Sequence, residues 1–302
     1  MEHWEKIEAV QRMQDYIRDY AESEQFSFDE LYRRAGYSRR HADRIFKELT
    51  GLTPQGYVRR VVITHSAQAL LKPGSTVTGT AFDARFDSHE GFTRAFSSAF
   101  GISPSRYQKE HVPIPLFVQY PVRDYFTHLY HQKEGHVMET KTSLCTVTSV
   151  ERPARKLLFL RSKAASDYWT YCEELGCDWE GLFNSIPEKF DTAAILELPD
   201  AMAKPGYSQI AAGVEVPAGY SAPLPEGVES AELAPCTMLY FQGEPFAREE
   251  EFGDAIETVF RALDGYPFAR YGYEKAPGLA PSFNFGASAE LGAKLAVPVK
   301  TV

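Results

Sequence analysis

The chain has 302 residues, 32 Lys and Arg against 41 Asp and Glu for a formal charge of −9, and 44% apolar residues, enough to bury the cores of two domains. Four cysteines without metal-type pairing argue against a disulfide framework, and Cys172 and Cys177 read as reduced thiols. No apolar run approaches the roughly 18 residues of a membrane span, and no basic-then-apolar leader opens the chain, so a cytoplasmic protein without membrane contact is expected.

Residues 2–22 form an amphipathic pattern, with Trp4, Ile7, Val10, Met13, Ile17 and Tyr20 spaced by three or four, and predict a helix that packs as a brace. From Phe26 to Glu110 there are 13 Lys and Arg against 8 Asp and Glu, a balance of +5. From His111 to Val302 there are 16 against 26, a balance of −10. A basic segment inside an acidic chain suits a module that faces nucleic acid beside one that does not.

Ser27 with Glu30 three residues on predicts a capped helix over 28–35, stopped at Gly36. Ser38 opens a second helix that turns Ile45, Phe46 and Leu49 inward and Arg39, Arg40, Asp43, Arg44 and Lys47 outward. Two short helices joined by a glycine turn, the second with exposed arginines, match a helix-turn-helix. Gly51 and Pro54 precede a long helix, about 55–71, that ends at Lys72-Pro73-Gly74. The pattern then recurs at an offset of 50 residues. Ser88 to Phe96 parallels Ser38 to Phe46, and Gly101, Pro104 and Tyr107 parallel Gly51, Pro54 and Tyr57. Phe92, Phe96 and Phe100 line one face of the second copy, leaving His89, Glu90, Thr93 and Arg94 on the other.

Residues 24–110 resemble the double helix-turn-helix DNA-binding domain of AraC/XylS-type transcription regulators. The resemblance rests on YSRRHADRIFKELTGLTP, the linking helix Tyr57–Leu71, FDSHEGFTRAF and FGISPSRY. It implies that the second helix of each unit enters successive major grooves of double-stranded DNA. By matched position the base-facing residues are Arg40, Asp43 and Arg44, then His89, Glu90 and Arg94. Arginine can bridge guanine O6 and N7, and a carboxylate can accept from cytosine N4. Ser38, Arg59, Ser88 and Thr93 are the expected phosphate contacts, and RNA polymerase is a candidate partner. The second turn departs from the family by carrying Arg85 where glycine is usual. Its first helix, over Val77–Ala84, holds the poor helix formers Gly79 and Thr80, so a less rigid second unit or a short first helix is expected.

Pro113, Pro115 and Pro121 predict an extended connector over 111–141, which also carries His128, His131 and His136 without an accompanying acid or thiol ligand pattern. Beyond it, 143–150, 156–161, 193–198 and 209–216 read as strands around an aromatic-rich helical region at 166–189. A second series follows: strand 237–241, a helix near 248–263, and strands 282–286 and 293–299. The chain thus reads as multidomain. An all-α double helix-turn-helix domain (1–110) is followed by a linker (111–141) and an α+β domain of two β-α-β-β repeats (142–302), with a groove between the repeats as the expected ligand site.

The last domain resembles the GyrI-like effector-binding domain, through that duplicated layout, Thr237–Gly243 (TMLYFQG) and Leu295–Val299 (LAVPV). That family implies a small-molecule effector that is bulky, aromatic and often cationic, held near a buried glutamate four residues before the terminal proline. Here Lys294 occupies that position. The candidate ligand residues are Trp169, Glu215, Tyr240, Tyr271, Tyr273, Glu274, Phe283 and Lys294, with Phe285 among further aromatic walls. No cofactor or metal is expected. The leading reading is a non-enzymatic transcription regulator. Two alternatives stand beside it: a tethered hydrolase of a reactive aromatic compound, using Glu215 or Glu274, and a DNA-bound protein governed by a protein partner, its cleft filled by its own side chains.

Overall fold

The computed structural model describes residues 2–123, 126, 144–247 and 251–302. His128, His131 and His136, and the expected start of a helix near residue 248, lie outside the described residues. The chain divides into two units, one from Met1–His111 with Leu116–His136, the other from Val112–Pro115 with Val137–Val302.

In the first unit α1 (Glu2–Tyr20) buries Ile7, Val10, Met13 and Ile17 against α2 (Phe28–Ala35) and α3 (Arg39–Thr50). The helix α4 (Pro54–Leu70) leads to α5 (Val77–Asp83), α6 (His89–Phe100) and α7 (Pro104–Glu110). Local chemistry sets these boundaries. The hydroxyls of Ser27, Thr53, Thr76, Ser88 and Ser103 each accept the amide of the residue three further on, satisfying a first-turn donor. Gly51 and Gly101 close α3 and α6 in left-handed conformations, φ 76° and 69°. The described start of the connector is packed. The Phe117 amide donates to Thr64, and those of Val122 and Arg123 donate to the buried Gln14 and Gln11.

Among its described residues the second unit has a nine-stranded sheet made of β1 (Cys145–Arg152), β2 (Arg155–Arg161), β3 (Ala194–Glu197), β4 (Ile210–Pro217), β5 (Glu229–Leu233), β6 (Cys236–Gly243), β7 (Tyr273–Lys275), β8 (Ser282–Ser288) and β9 (Gly292–Thr301). Its order is β1-β6-β9-β8-β3-β4-β2-β5, with β7 on β9. The aromatic helical region is split by Gly176 into α8 (Tyr168–Leu175) and α9 (Asp178–Asn184), and α10 spans Phe252–Asp264. All three pack on one face. Tyr171, Trp179 and Phe183 meet Leu158, Ile195 and Val214, while Val259 meets Leu239, Phe241 and Leu295.

The opposite face is concave for a topological reason. β1 and β2 stand first and seventh in the order, a separation of about 29 Å in a flat sheet, yet only Pro153 and Ala154 join them. Ala234 and Pro235 likewise join β5, eighth, to β6, second. The sheet must curl until its ends meet. Arg155, 1% exposed, ties the two junctions together. Its guanidinium donates to the carbonyls of Pro153 and Ala234, to Cys236 Sγ, and to Glu215 Oε1 at 2.5 Å. Glu215 is 4% exposed. Gly213 sits beside it because a Cβ there would lie 2.3 Å from the Leu158 carbonyl oxygen.

Arg85 holds φ 58° in the second turn, the conformation that Gly36 holds at φ 71° in the first. Arg85→Gly will therefore stabilise the protein by about 0.5–1 kcal/mol in urea unfolding followed by circular dichroism, and a loss of stability would contradict the strain argument. Glu215→Ala strands a buried arginine and will cost about 3–5 kcal/mol, whereas Glu274→Ala, which removes an exposed partner of Lys300, will change stability by less than about 0.5 kcal/mol. Equal effects in the same assay would refute the contrast.

Candidate functional site

Each of α3 and α6 is held by an apolar stripe of the same design. Ala42, Ile45 and Phe46 are buried in α3, and Phe92, Ala95 and Phe96 in α6. Phe46 meets Tyr57 edge-on at 5.3 Å between centroids, and Phe96 meets Tyr107 at 5.6 Å. Those contacts fix the rotation of each helix and so decide which side chains face out. Arg40, Arg44 and Lys47 are exposed on α3, and His89, Glu90 and Arg94 on α6. Arg40, Glu90 and Arg94 make no ion pair among the described residues, so their polar ends are available to a partner. Arg59, exposed on α4, lines a groove of about 330 Å³ with Phe28, Val58, Ala84, Arg85 and Phe86.

The other expected contacts are engaged to different degrees. Ser38 begins α3 without a side-chain cap bond, leaving its hydroxyl available, while the Ser88 hydroxyl is occupied by the Gly91 amide at 3.1 Å. Thr93 is half-buried, and its Oγ1 is buried without a partner. Asp43 is half-buried and accepts from the Tyr32 hydroxyl at 2.6 Å, which clamps α3 to α2. Burial and this carboxylate push the Tyr32 phenol up to about 12, so it stays protonated and keeps donating. Arg39 covers the same ring at 5.0 Å, and Arg44 lies 3.3 Å from His41 Nδ1.

In the second unit the concave sheet face brings four of the eight sequence-derived candidates together. Tyr240, Phe283, Glu215 and Lys294 lie there with Phe285. The rings of Tyr240 and Phe285 stack at 6.0 Å and those of Phe283 and Phe285 at 5.7 Å. Lys294 Nζ is 2.6 Å from Asp191 and 4.2 Å from the Phe285 centroid. Arg152 donates to the Tyr240 hydroxyl, lies 3.4 Å from Glu215 Oε2, and covers the rings of Tyr240 and Phe190. Burial pushes the Tyr240 phenol up to about 12.

The remaining four candidates sit elsewhere. Trp169 is on α8, edge-on to Tyr168, and the buried Tyr171 of that helix packs on the helix-bearing face. Tyr273 packs with the core under α10. Tyr271 is 58% exposed and stacks on Tyr266. Glu274 is exposed and paired with Lys300 at 3.2 Å. Arg152, Arg155 and Asp191 are not among the sequence-derived candidates. The two arginines flanking Pro153-Ala154 inside otherwise strand-like sequence were the available signal, and Asp191 gave none. Among the described residues no cluster of His, Cys, Asp or Glu could hold a metal ion, and no helix is long and apolar enough to cross a membrane.

Comparison with known proteins bears on the helical unit. The family model described as Helix-turn-helix domain matches residues 31–110. Over 83 residues the chain is 37% identical to the Right origin-binding protein of Escherichia coli (strain K12), covering 28% of this chain and 29% of that protein. The chain therefore spans about three tenths of that relative's length. Over 94 residues it is 33% identical to the Multiple antibiotic resistance protein MarA of Salmonella typhimurium, covering 31% of this chain and 73% of that protein. It is also similar, at 25% identity and a TM-score of 0.29, to the solved DNA-binding domain of AdpA in complex with a target DNA, over 32% of this chain and 90% of that one. Apart from the Ser27 cap, the caps, turns and outward faces described above fall in the matched stretch, and the chain belongs to the AraC family of helix-turn-helix DNA-binding proteins.

Proposed function

We propose that the protein reads two successive major grooves on one face of double-stranded DNA with α3 and α6, and that its second unit senses an aromatic small molecule on the concave sheet face. The observation that carries the DNA reading is the duplication. Two helices of identical length start at Ser38 and Ser88, stop at left-handed glycines, and turn the same face inward. Arg40 and Arg44 are the base readers of the first unit, and His89, Glu90 and Arg94 those of the second. Ser38 and Arg59 contact phosphate. Asp43 acts chiefly as the clamp that orients α3, because its carboxylate is already committed to Tyr32.

For the second unit, a GyrI-like reading is supported by topology. β2 through β4 and β6 through β9, leaving out the short β7, each follow strand, helix, strand, strand. In both, the third strand lies between the other two, in orders β3-β4-β2 and β8-β9-β6, and the copies meet at β3–β8. We take the aromatic ligand to sit against Tyr240, Phe285 and Lys294, and to act on DNA binding only through different affinities for competent and incompetent states. Trp169, Tyr271, Tyr273 and Glu274 do not enter this site. A hydrolase reading is less well supported, since Glu215 is held by two arginines and Glu274 by Lys300.

Fluorescence anisotropy on duplexes selected for binding tests the DNA reading. Arg44→Ala and Arg94→Ala will each cost about 1–3 kcal/mol of specific affinity, roughly 5- to 150-fold. The logarithm of the overall affinity will fall linearly with the logarithm of the salt concentration. Loss confined to Arg44→Ala, with Arg94→Ala unaffected, would mean that the second unit does not read DNA, and binding without salt dependence would overturn the regulator reading.

A further inference from the structure

We infer that the small molecule sensed by the second unit is an aromatic anion, a planar or bulky aromatic body carrying a carboxylate or similar oxyanion. The inference rests on the proposal above that the concave face is a ligand site, and concerns the charge of what it takes.

Three observations point the same way. The first is the charge census of the face. Among the described residues its ion pairs join Arg152, Arg155, Arg161 and Lys294, with Lys204 from the loop before β4, to Asp191, Glu215 and Glu229. Cations exceed carboxylates in a setting where Arg152, Arg155 and Arg161 have side chains no more than 10% exposed. Each carboxylate is already within ion-pair distance of two cations: Glu215 of Arg152 and Arg155, Asp191 of Lys294 and Arg152, Glu229 of Arg161 and Lys204. An arriving cation would meet no free counter-charge, whereas an arriving anion relieves the excess.

The second observation concerns the rings. A cation-binding aromatic site offers ring faces to its ligand. Here the protein's own cations hold them. Lys294 lies over Phe285 at 4.2 Å, Arg152 over Tyr240 at 5.5 Å and Arg161 over Phe159 at 5.1 Å. The ligand's aromatic body therefore packs at ring edges and on the apolar wall of Met202 and Phe283 while its charge goes to the cations.

The third is hydrogen-bond bookkeeping, which leaves donors spare. Arg152 Nε and Arg161 Nη1 are buried without a hydrogen-bond partner, although Arg152 Nε is within 3.4 Å of Glu215. Buried N–H groups without acceptors are costly, and ligand oxygens supply acceptors. Lys294, 24% exposed in its side chain, and Arg152 are the groups that meet the anion.

Paired probes of opposite charge and equal body, titrated calorimetrically into the full chain, test this: naphthoate against naphthylmethylammonium, and pyrene carboxylate against pyrenemethylammonium. The carboxylate of at least one pair will bind at least about tenfold more tightly than its ammonium partner. Lys294→Gln, which keeps a hydrogen bond to Asp191 and removes the charge, will bring that ratio close to one, and Lys294→Arg will keep it. Should Lys294→Gln fail to fold, the wild-type ratio and Lys294→Arg still decide the sign. Tighter binding of the ammonium probes, or a preference that Lys294→Gln leaves intact, overturns the inference alone. No binding of either class by the folded chain overturns the aromatic-ligand reading beneath it.

Discussion

The helical unit depends on one contact made twice, a phenylalanine ring against a tyrosine ring, edge-on in the first copy and tilted in the second. Phe46 on α3 meets Tyr57 on α4, and Phe96 on α6 meets Tyr107 on α7. An aromatic pair adds about 0.5–1.5 kcal/mol beyond the area it buries, but its structural effect is larger than its energy. It sets the rotation of the second helix of each unit about its own axis. With Phe46 and Phe96 inward, Arg40, Arg44, His89, Glu90 and Arg94 have no choice but to face out. A rotation of one residue, about 100°, would bury charge and expose rings, so packing energy rather than surface polarity orients the proposed reading faces.

The second unit depends on a different constraint, the need to bring the two ends of a long sheet to one place. Two-residue connections at Pro153-Ala154 and Ala234-Pro235 impose the curl, and the Arg155 guanidinium bonds to both. A buried ion pair seldom adds net stability over an apolar substitute. Its value here is geometric, because five donors in a fixed fork can hold two backbone junctions and one carboxylate at once. The same curl gathers Arg152 from β1, Tyr240 from β6, Lys294 from β9 and Glu215 from β4 on one concave surface. The polar cluster and its aromatic lining are thus consequences of the topology.

The helical unit was far more legible in the sequence than the sheet, for physical reasons. Helices are closed by local bonds, so Ser27, Ser88, Gly51, Gly101, Pro54 and Pro104 announced boundaries within a residue or two. Even the irregular turn at Arg85 adopts the left-handed conformation of Gly36, at an offset of 49 rather than 50 because Arg85 stands three positions before its N-cap Ser88 and Gly36 two before Ser38. Strand runs could be read from alternation, but β5 is short and polar and β7 has three residues, too few for a periodic signal. Strand order could not be read at all, since pairs such as β1 with β6 join residues about ninety positions apart. That is why Tyr240, Phe283, Glu215 and Lys294 proved to share a face while Tyr271, Tyr273 and Glu274 did not. Residue type nominated all seven, and only the register could sort them. The bond between Arg155 and Glu215 was equally hidden, because neither residue carries a local mark of the other.

The claim on which the account turns is that α3 and α6 act as two readers held at a fixed separation. Selecting duplexes bound by the full chain from a random pool, and aligning the winners, tests it most directly. The account predicts two short conserved blocks on one face of the helix, their centres about one turn, 10–10.5 base pairs, apart, at a spacing that does not vary among selected sites. A single block, or two blocks at variable spacing, would contradict it.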